Sequence, residues 1–304
     1  MKISEKLGQI VLPLLTPYDK NGDINWEMVD KLVDYVIENN YCDSIAVTGT
    51  TGEFFTLTFD ERVALFERVY KAVNGRVAVM AGTGAASTRE TIALTQAAEK
   101  IGYEQVMVVA PYYGKPSQEG LYEHYKAVAE STKCDVVLYN IPIFTGVNVD
   151  PATVEKLAKI PNIVGIKDEA GINPTQMTDF ALCTPEDFTV YNGDDIMILC
   201  GLIQGAAGVV SGASHICGGK IREMINAFNA GDNAKAKEIF DEVYPLCKAF
   251  GQNGRTWPNP IMRAALEMMG LEIGPCRLPY APATEEEKAV VKSHLVRLGI
   301  KVVE

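Results

Sequence analysis

Short apolar runs alternate with longer amphipathic ones along most of this 304-residue chain. That alternation predicts parallel strands joined by helical crossovers, because a parallel pair cannot be closed by a tight hairpin. Strands are expected over residues 8–15, 44–47, 76–80, 105–109, 136–139, 163–167, 188–191 and 208–210. Helices are expected over 26–39, 60–72, 88–101, 119–131, 151–158, 174–182 and 196–202. Met28, Leu32, Tyr35 and Val36 fall on one face of the first of these. Eight strands is the count that closes a barrel. An open doubly wound sheet competes, but the dinucleotide fingerprint expected after an early strand is missing. Beyond Gly218 the pattern is helical to about Leu298. The expected fold is α/β, a (β/α)8 TIM barrel over 1–230 with a C-terminal helical domain over 231–304, and no flexible linker separates the two.

Composition narrows the function classes. Apolar residues make up 47% of the chain and charged ones 22%, a balance suited to one large core. The apolar runs are strand-sized, too short to span a membrane, and the first residues lack the apolar centre of a signal peptide. Seven cysteines without paired spacing point to reduced thiols, so a cytoplasmic protein is expected. With a net charge of −11 and no basic cluster, nucleic acid and anionic membranes are poor partners. Three histidines without metal-ligand spacing make a zinc site improbable. Organic chemistry without a metal or cofactor is the expectation.

In a parallel barrel the working residues gather at the C-terminal ends of the strands. The second strand ends in Thr48-Gly49-Thr50-Thr51-Gly52-Glu53, whose glycines free the backbone and whose hydroxyls can cradle an anion. The same residues also suit a plain strand-to-helix turn. The fourth strand ends in Ala110-Pro111-Tyr112-Tyr113, the fifth in Tyr139-Asn140-Ile141-Pro142, and the sixth in Lys167. A lone lysine there commonly snorkels to water. Burial would instead lower its pKa toward neutrality, and a neutral amine can attack a carbonyl and form a Schiff base. A tyrosine beside it can carry protons. Thr-Thr, Tyr, Tyr and Lys at four strand ends favour the chemical reading.

This set resembles the dihydrodipicolinate synthase/N-acetylneuraminate lyase family of pyruvate-dependent class I aldolases. The resemblance runs through Gly49-Thr50-Thr51-Gly52-Glu53, Pro111-Tyr112-Tyr113, Tyr139-Asn140-Ile141-Pro142, Gly165-Ile166-Lys167-Asp168, Asn192-Gly193-Asp194-Asp195 and Gly208-Val209-Val210-Ser211, in family order. It implies that Lys167 forms the Schiff base, Tyr139 moves protons, and Thr50 and Thr51 hold the pyruvyl carboxylate and continue the relay. It implies further that Tyr113 is inserted by a neighbouring subunit, that Gly193 and Val210 line the pocket, and that the assembly is a homotetramer built from tight dimers.

The sequence departs from the family at informative places. Dihydrodipicolinate synthases carry an arginine where Phe144 stands in Pro142-Ile143-Phe144-Thr145-Gly146, and that arginine grips the far carboxylate of aspartate semialdehyde. Lys115 and Arg255 are candidate substitutes. Ile196 and Glu169 stand where neuraminate lyases carry an acidic residue and a hydroxyl. Ala86 follows Gly82-Thr83-Gly84-Ala85 where lysine-inhibited synthases carry asparagine, so tight lysine feedback is not expected. The primary expectation is therefore an aldolase joining or splitting pyruvate and an aldehyde, with a 2-keto-3-deoxy sugar acid or similar 2-oxo acid as substrate and Phe144 in the substrate pocket. The alternative is 4-hydroxy-tetrahydrodipicolinate synthase, condensing pyruvate with aspartate semialdehyde. A non-catalytic 2-oxo-acid sensor is the third possibility, disfavoured because simple binding needs no nucleophilic amine.

Overall fold

The structure, a computed structural model of the chain, describes residues 2–169 and 173–303. Met1 and Glu304, the outer ends of the two expected units, lie outside the described residues. Eight parallel strands close into a barrel in sequence order: β1 Ile10–Pro13, β2 Ser44–Val47, β3 Ala78–Gly82, β4 Gln105–Val109, β5 Asp135–Asn140, β6 Ile163–Asp168, β7 Thr189–Asn192 and β8 Gly208–Val210. Closure is made by β1 against β8, with Ile10 opposite Val209 and Val11 opposite Val210.

Helices α1 Ile3–Leu7, α2 Trp26–Glu38, α3 Phe59–Val73, α4 Thr88–Ile101, α5 Gln118–Glu130, α6 Pro142–Thr145, α7 Pro151–Leu157, α8 Gln176–Cys183, α9 Ile198–Ile203 and α10 Ser214–Asn229 accompany the strands. Several begin at residues suited to the task. Thr58 and Glu61 form a capping box on α3, and Ser87 and Ser117 cap α4 and α5; each such cap is worth about 1 kcal/mol. Alternation along the strands divides the apolar residues into two sets. One faces the helices, and the other, including Val11, Ala46, Met80, Met107, Val137 and Tyr191, fills the barrel. Ile3 and Leu7 of α1 join the inner set, and Lys6 reaches Asp135 at the start of β5, so α1 closes the N-terminal end.

The differences from the expected boundaries are local. The first strand is shorter than 8–15, and the third is displaced toward Gly82. The stretch expected as one helix over 196–202 is a 3-10 turn, Asp195–Met197, followed by α9, because the Asp194 carboxylate accepts from Ile196 N and tightens the first turn. The sequence reading missed α1 and α6, whose five and four residues are too few to show a helical period.

Beyond α10 run α11 Asn233–Ala249, α12 Asn259–Met268 and α13 Glu285–Arg297. Helix α12 is tied to the mouth of the barrel by a buried ion pair. Arg263 donates to Glu53 Oε1 from Nη2 at 2.6 Å and from Nε at 3.1 Å, and donates to Thr16 O at 2.6 Å. Asn259 donates from Nδ2 to Thr51 O at 2.8 Å and to Glu53 Oε1 at 3.0 Å. Both charges are almost wholly buried, so their value lies in being matched: removing one partner of such a pair costs roughly 3–5 kcal/mol. Arg263→Met is expected to lower the unfolding free energy by about that amount. Adding Glu53→Gln is expected to recover part of it, as chemical denaturation of the single and double variants would show.

Candidate active site

The ladder fixes which side chains meet at the C-terminal mouth. Tyr139 of β5 lies opposite Lys167 of β6, which in turn lies opposite Tyr191 of β7. All three therefore point inward at one level. Lys167 is 5% exposed, and its Nζ sits 3.9 Å from the centre of the Tyr139 ring. The Tyr139 hydroxyl shares a 3.1 Å hydrogen bond with Thr50 Oγ1. It also donates to Glu169 Oε2 at 3.3 Å, and the same Glu169 oxygen is 3.4 Å from Lys167 Nζ.

A cavity of about 620 Å³ opens above this group. Its floor and walls include Thr50, Thr51, Tyr139, Lys167, Gly193 and Val210, all expected from the sequence. The end of α11 and the loop over 251–258 form its roof. Phe144 lines the cavity too, from α6. Tyr113 does not reach the cavity of its own chain: it is 95% exposed, with a left-handed φ of 70°. A non-glycine residue is held in that region at some cost in backbone energy.

The Lys167 expectation needs correcting. Burial does act to lower the ammonium's pKa, but Tyr139 and Glu169, as charges and hydrogen-bond partners, together raise it above its ordinary value. Burial pushes the Tyr139 phenol up to about 12, with Lys167 opposing the shift. Burial likewise moves Glu169 up to about 7, with Lys167 opposing and Asp194 and Asp195 adding to the rise. Asp195 is raised to about 6, again chiefly by burial, while bonds from Ser211 Oγ and Ala213 N hold it in place.

The glycines of the second-strand turn also act differently from the sequence reading. Neither Gly49 nor Gly52 has a positive φ; Thr48 and Glu53 take the left-handed positions instead. Gly52 is needed for closeness, since a Cβ there would lie 3.0 Å from Leu14 O. Gly193 has the same role in the site. A Cβ on it would come within 2.4 Å of Lys167 Cε and 3.1 Å of Glu169 Cβ.

Phe144 belongs to an aromatic wall. Its ring meets Trp257 edge-on at 5.6 Å, and Trp257 packs against Phe55 and Tyr280. This wall and Phe54, Tyr112 and Ile141 line a second, apolar cavity of about 350 Å³ that also touches Thr50. Neither candidate cation replaces the missing arginine. Arg255 lines the main cavity, but its guanidinium is committed to Glu287 at 2.6 Å and to Pro282 O at 3.0 Å. Lys115 packs against Gly146 and is not among the residues that line the main cavity. Lys248 at the end of α11 does line it, near Asp194. Sequence reasoning overlooked Lys248, Trp257, Asp194 and Asp195 as parts of the cavity. It noted Glu169 only as a departure from the lyases, although two-residue alternation places residue 169 on the same face as Lys167.

The fold and this lysine-centred cavity are those of a barrel aldolase, and comparison with known proteins gives the family. The sequence profile of the dihydrodipicolinate synthetase family matches residues 6–298. The chain is 47% identical over 281 residues to the 4-hydroxy-tetrahydrodipicolinate synthase of Desulforudis audaxviator, covering 92% of this chain and 94% of that protein. It is 43% identical over 293 residues to the enzyme of the same name from Bacillus subtilis, covering 96% and 99%. A crystal structure of a dihydrodipicolinate synthase from Bacillus anthracis superposes with a TM-score of 0.91 at 44% identity, covering 95% of this chain and 98% of that one. The chain belongs to the dihydrodipicolinate synthetase family, and it is a class I pyruvate-dependent lyase or synthase. Among the described residues no helix is long and apolar enough to cross a membrane.

Gly193→Ala tests the packing around the amine. The added methyl is expected to displace Lys167 and slow its borohydride trapping with pyruvate roughly a hundredfold, the scale of a 1 Å misplacement. The melting temperature is expected to stay close to that of the parent.

Proposed function

We propose that this chain is a 4-hydroxy-tetrahydrodipicolinate synthase, condensing pyruvate with aspartate semialdehyde through a Schiff base on Lys167. The relatives named for that reaction, matched over nearly their whole length, support this reading better than the sugar-acid aldolase expected first. The observation that carries the chemistry is the contact of the Lys167 ammonium with the Tyr139 ring, and of the Tyr139 hydroxyl with Thr50. A sensor that only bound 2-oxo acids would have no use for such an array.

The pyruvyl carboxylate is held at Thr50 and Thr51, which places C2 beside Lys167 Nζ. Attack by the amine and loss of water give a protonated imine, which draws electrons from C3. Loss of a C3 proton gives an enamine, and its C3 adds to the aldehyde carbon. Tyr139, a neutral phenol whose pKa burial raises further, carries protons between the reacting atoms and Thr50. Tyr113 belongs to the same proposal: projecting from the surface, it completes the relay of a neighbouring subunit in a homotetramer of tight dimers. The assembly is proposed to work in the cytoplasm without a cofactor.

One observation favours a second reading of the aldehyde. Phe144 and its aromatic neighbours offer a carboxylate no fixed cation, and losing such a contact typically costs a few kcal/mol. An uncharged or hydroxylated aldehyde fits that wall better, while Lys248 is the cation left to meet a distal carboxylate.

Borohydride reduction with pyruvate, read by mass spectrometry, is expected to leave an adduct on Lys167 that Lys167→Ala abolishes. Tyr139→Phe is expected to slow turnover at least ~100-fold while pyruvate still binds. A panel of aspartate semialdehyde, glyceraldehyde, glyoxylate and N-acetylmannosamine then assigns the partner. Preferred turnover of aspartate semialdehyde supports the synthase, and preference for another aldehyde replaces it with the second reading.

A further inference from the structure

Glu169 occupies a place in the site that the Lys167–Tyr139–Thr50 relay does not account for. Its backbone N donates to Asn140 O at 2.9 Å, which prolongs the β5–β6 ladder one residue past β6. The sheet therefore sets the direction of its side chain, two residues from Lys167 and on the same inward face. Gly193 leaves the gap that both side chains share. One oxygen of Glu169 is in reach of both Lys167 Nζ and the Tyr139 hydroxyl, at 3.4 and 3.3 Å. The side chain keeps about a quarter of its surface open to the cavity, so a substrate seated on Lys167 would lie beside it.

The relay lacks a base. Lys167 holds its proton more firmly than an ordinary lysine, the Tyr139 phenol is neutral well above physiological pH, and a threonine hydroxyl is no base at all. An ammonium cannot attack a ketone until something takes its proton. Among the described groups touching Nζ, Glu169 alone is a carboxylate. The charged groups facing it are Lys167 on its own strand and Asp194 and Asp195 beyond β7; Tyr139 faces it from β5, and Lys248 stands behind Asp194. Burial together with the two aspartates brings its titration close to neutral pH, where a proton can be taken and returned with little driving force.

We propose that Glu169 is a catalytic acid–base of the imine-forming steps, taking the proton of the Lys167 ammonium and returning it to the departing hydroxyl. In the first step an N–H bond of Lys167 breaks and an O–H bond forms on Glu169. The freed electron pair bonds to C2 of the 2-oxo acid, and the C2–O π pair moves onto oxygen. That oxygen gains a proton which the nitrogen loses, passed through Tyr139 and Thr50, giving a neutral carbinolamine. Glu169 then protonates the hydroxyl, the C–O bond breaks with its electron pair, and water departs as the nitrogen pair closes the C=N bond. An ammonium and a carboxylate have become an iminium and a carboxylate, with one water released and no net proton exchanged. The inference rests on Lys167 being the imine-forming amine but not on which aldehyde follows.

The test is the rate at which pyruvate and cyanoborohydride convert Lys167 to its reduced adduct, followed by mass spectrometry from mildly acidic to mildly alkaline pH. In the parent the rate is expected to rise through about pH 7 as Glu169 loses its proton. Glu169→Gln keeps the shape and removes the base; its rate is expected to fall at least ~10-fold and to lose that inflection. Glu169→Asp is expected to keep an inflection at a lower plateau. A glutamine variant with the parent's rate and inflection overturns the role of Glu169 and leaves the pyruvate-imine reading standing. If the glutamine variant does not fold, an aspartate variant with unchanged rate and profile overturns it equally. No adduct in the parent overturns both.

Discussion

Tyr139 and Lys167 lie directly opposite each other in the ladder between β5 and β6, and the rest of the site is arranged around that adjacency. Because neighbouring residues in register point the same way, closing the barrel forces a phenol and an amine together inside a ring of apolar side chains. Thr50 and Glu169 then reach the same hydroxyl from two sides, one from the end of β2 and one from the end of β6. A one-residue slip between β5 and β6 would turn either the phenol or the amine outward, so the apolar filling of the barrel that fixes register also fixes the chemistry.

Burial around Lys167 is often taken to mean a neutral amine. Here desolvation is opposed by a carboxylate and a phenol within hydrogen-bond reach, and the partners prevail. The cation is thus stored rather than eliminated, and in the proposed mechanism deprotonation becomes a step that the protein must carry out when substrate arrives. The nearby Asp194 and Asp195 matter in that setting. Burial does most to keep Glu169 from being a permanently ionised counter-ion, and the two aspartates add to it, so that it remains able to exchange a proton.

The elements legible in the sequence were those whose signal is local. Eight apolar runs gave the barrel, and residues at strand ends gave Lys167, Tyr139 and the threonine pair. What escaped was set by distance along the chain or by geometry too fine for a pattern. Glu53 and Arg263 are 210 residues apart, and nothing near either predicts that one buried carboxylate ties α12 to the turn carrying Thr50 and Thr51. The glycines of that turn looked like a source of backbone freedom. The fold instead puts Thr48 and Glu53 in the left-handed region and uses Gly52 for close approach. Glu169 was visible as a residue but not as a partner, because its contact with Tyr139 depends on the pairing of β5 with β6.

The aromatic wall and the acidic end of β7 set the limits on the second substrate of the proposed reaction. An aldehyde entering beneath the loop over 251–258 meets Phe144 and Trp257 on one side and Asp194 with Glu169 on the other. A distal carboxylate is drawn to neither. Lys248, on the roof rather than on the strand-end loop, is placed to offset that repulsion only if the aldehyde extends away from Lys167 toward α11. The position of Phe144 therefore bears on the orientation of the acceptor as well as its charge. In the proposed condensation on Lys167, an acceptor held by a cation on the roof instead of on the α6 loop would present its aldehyde carbon to C3 from a different direction.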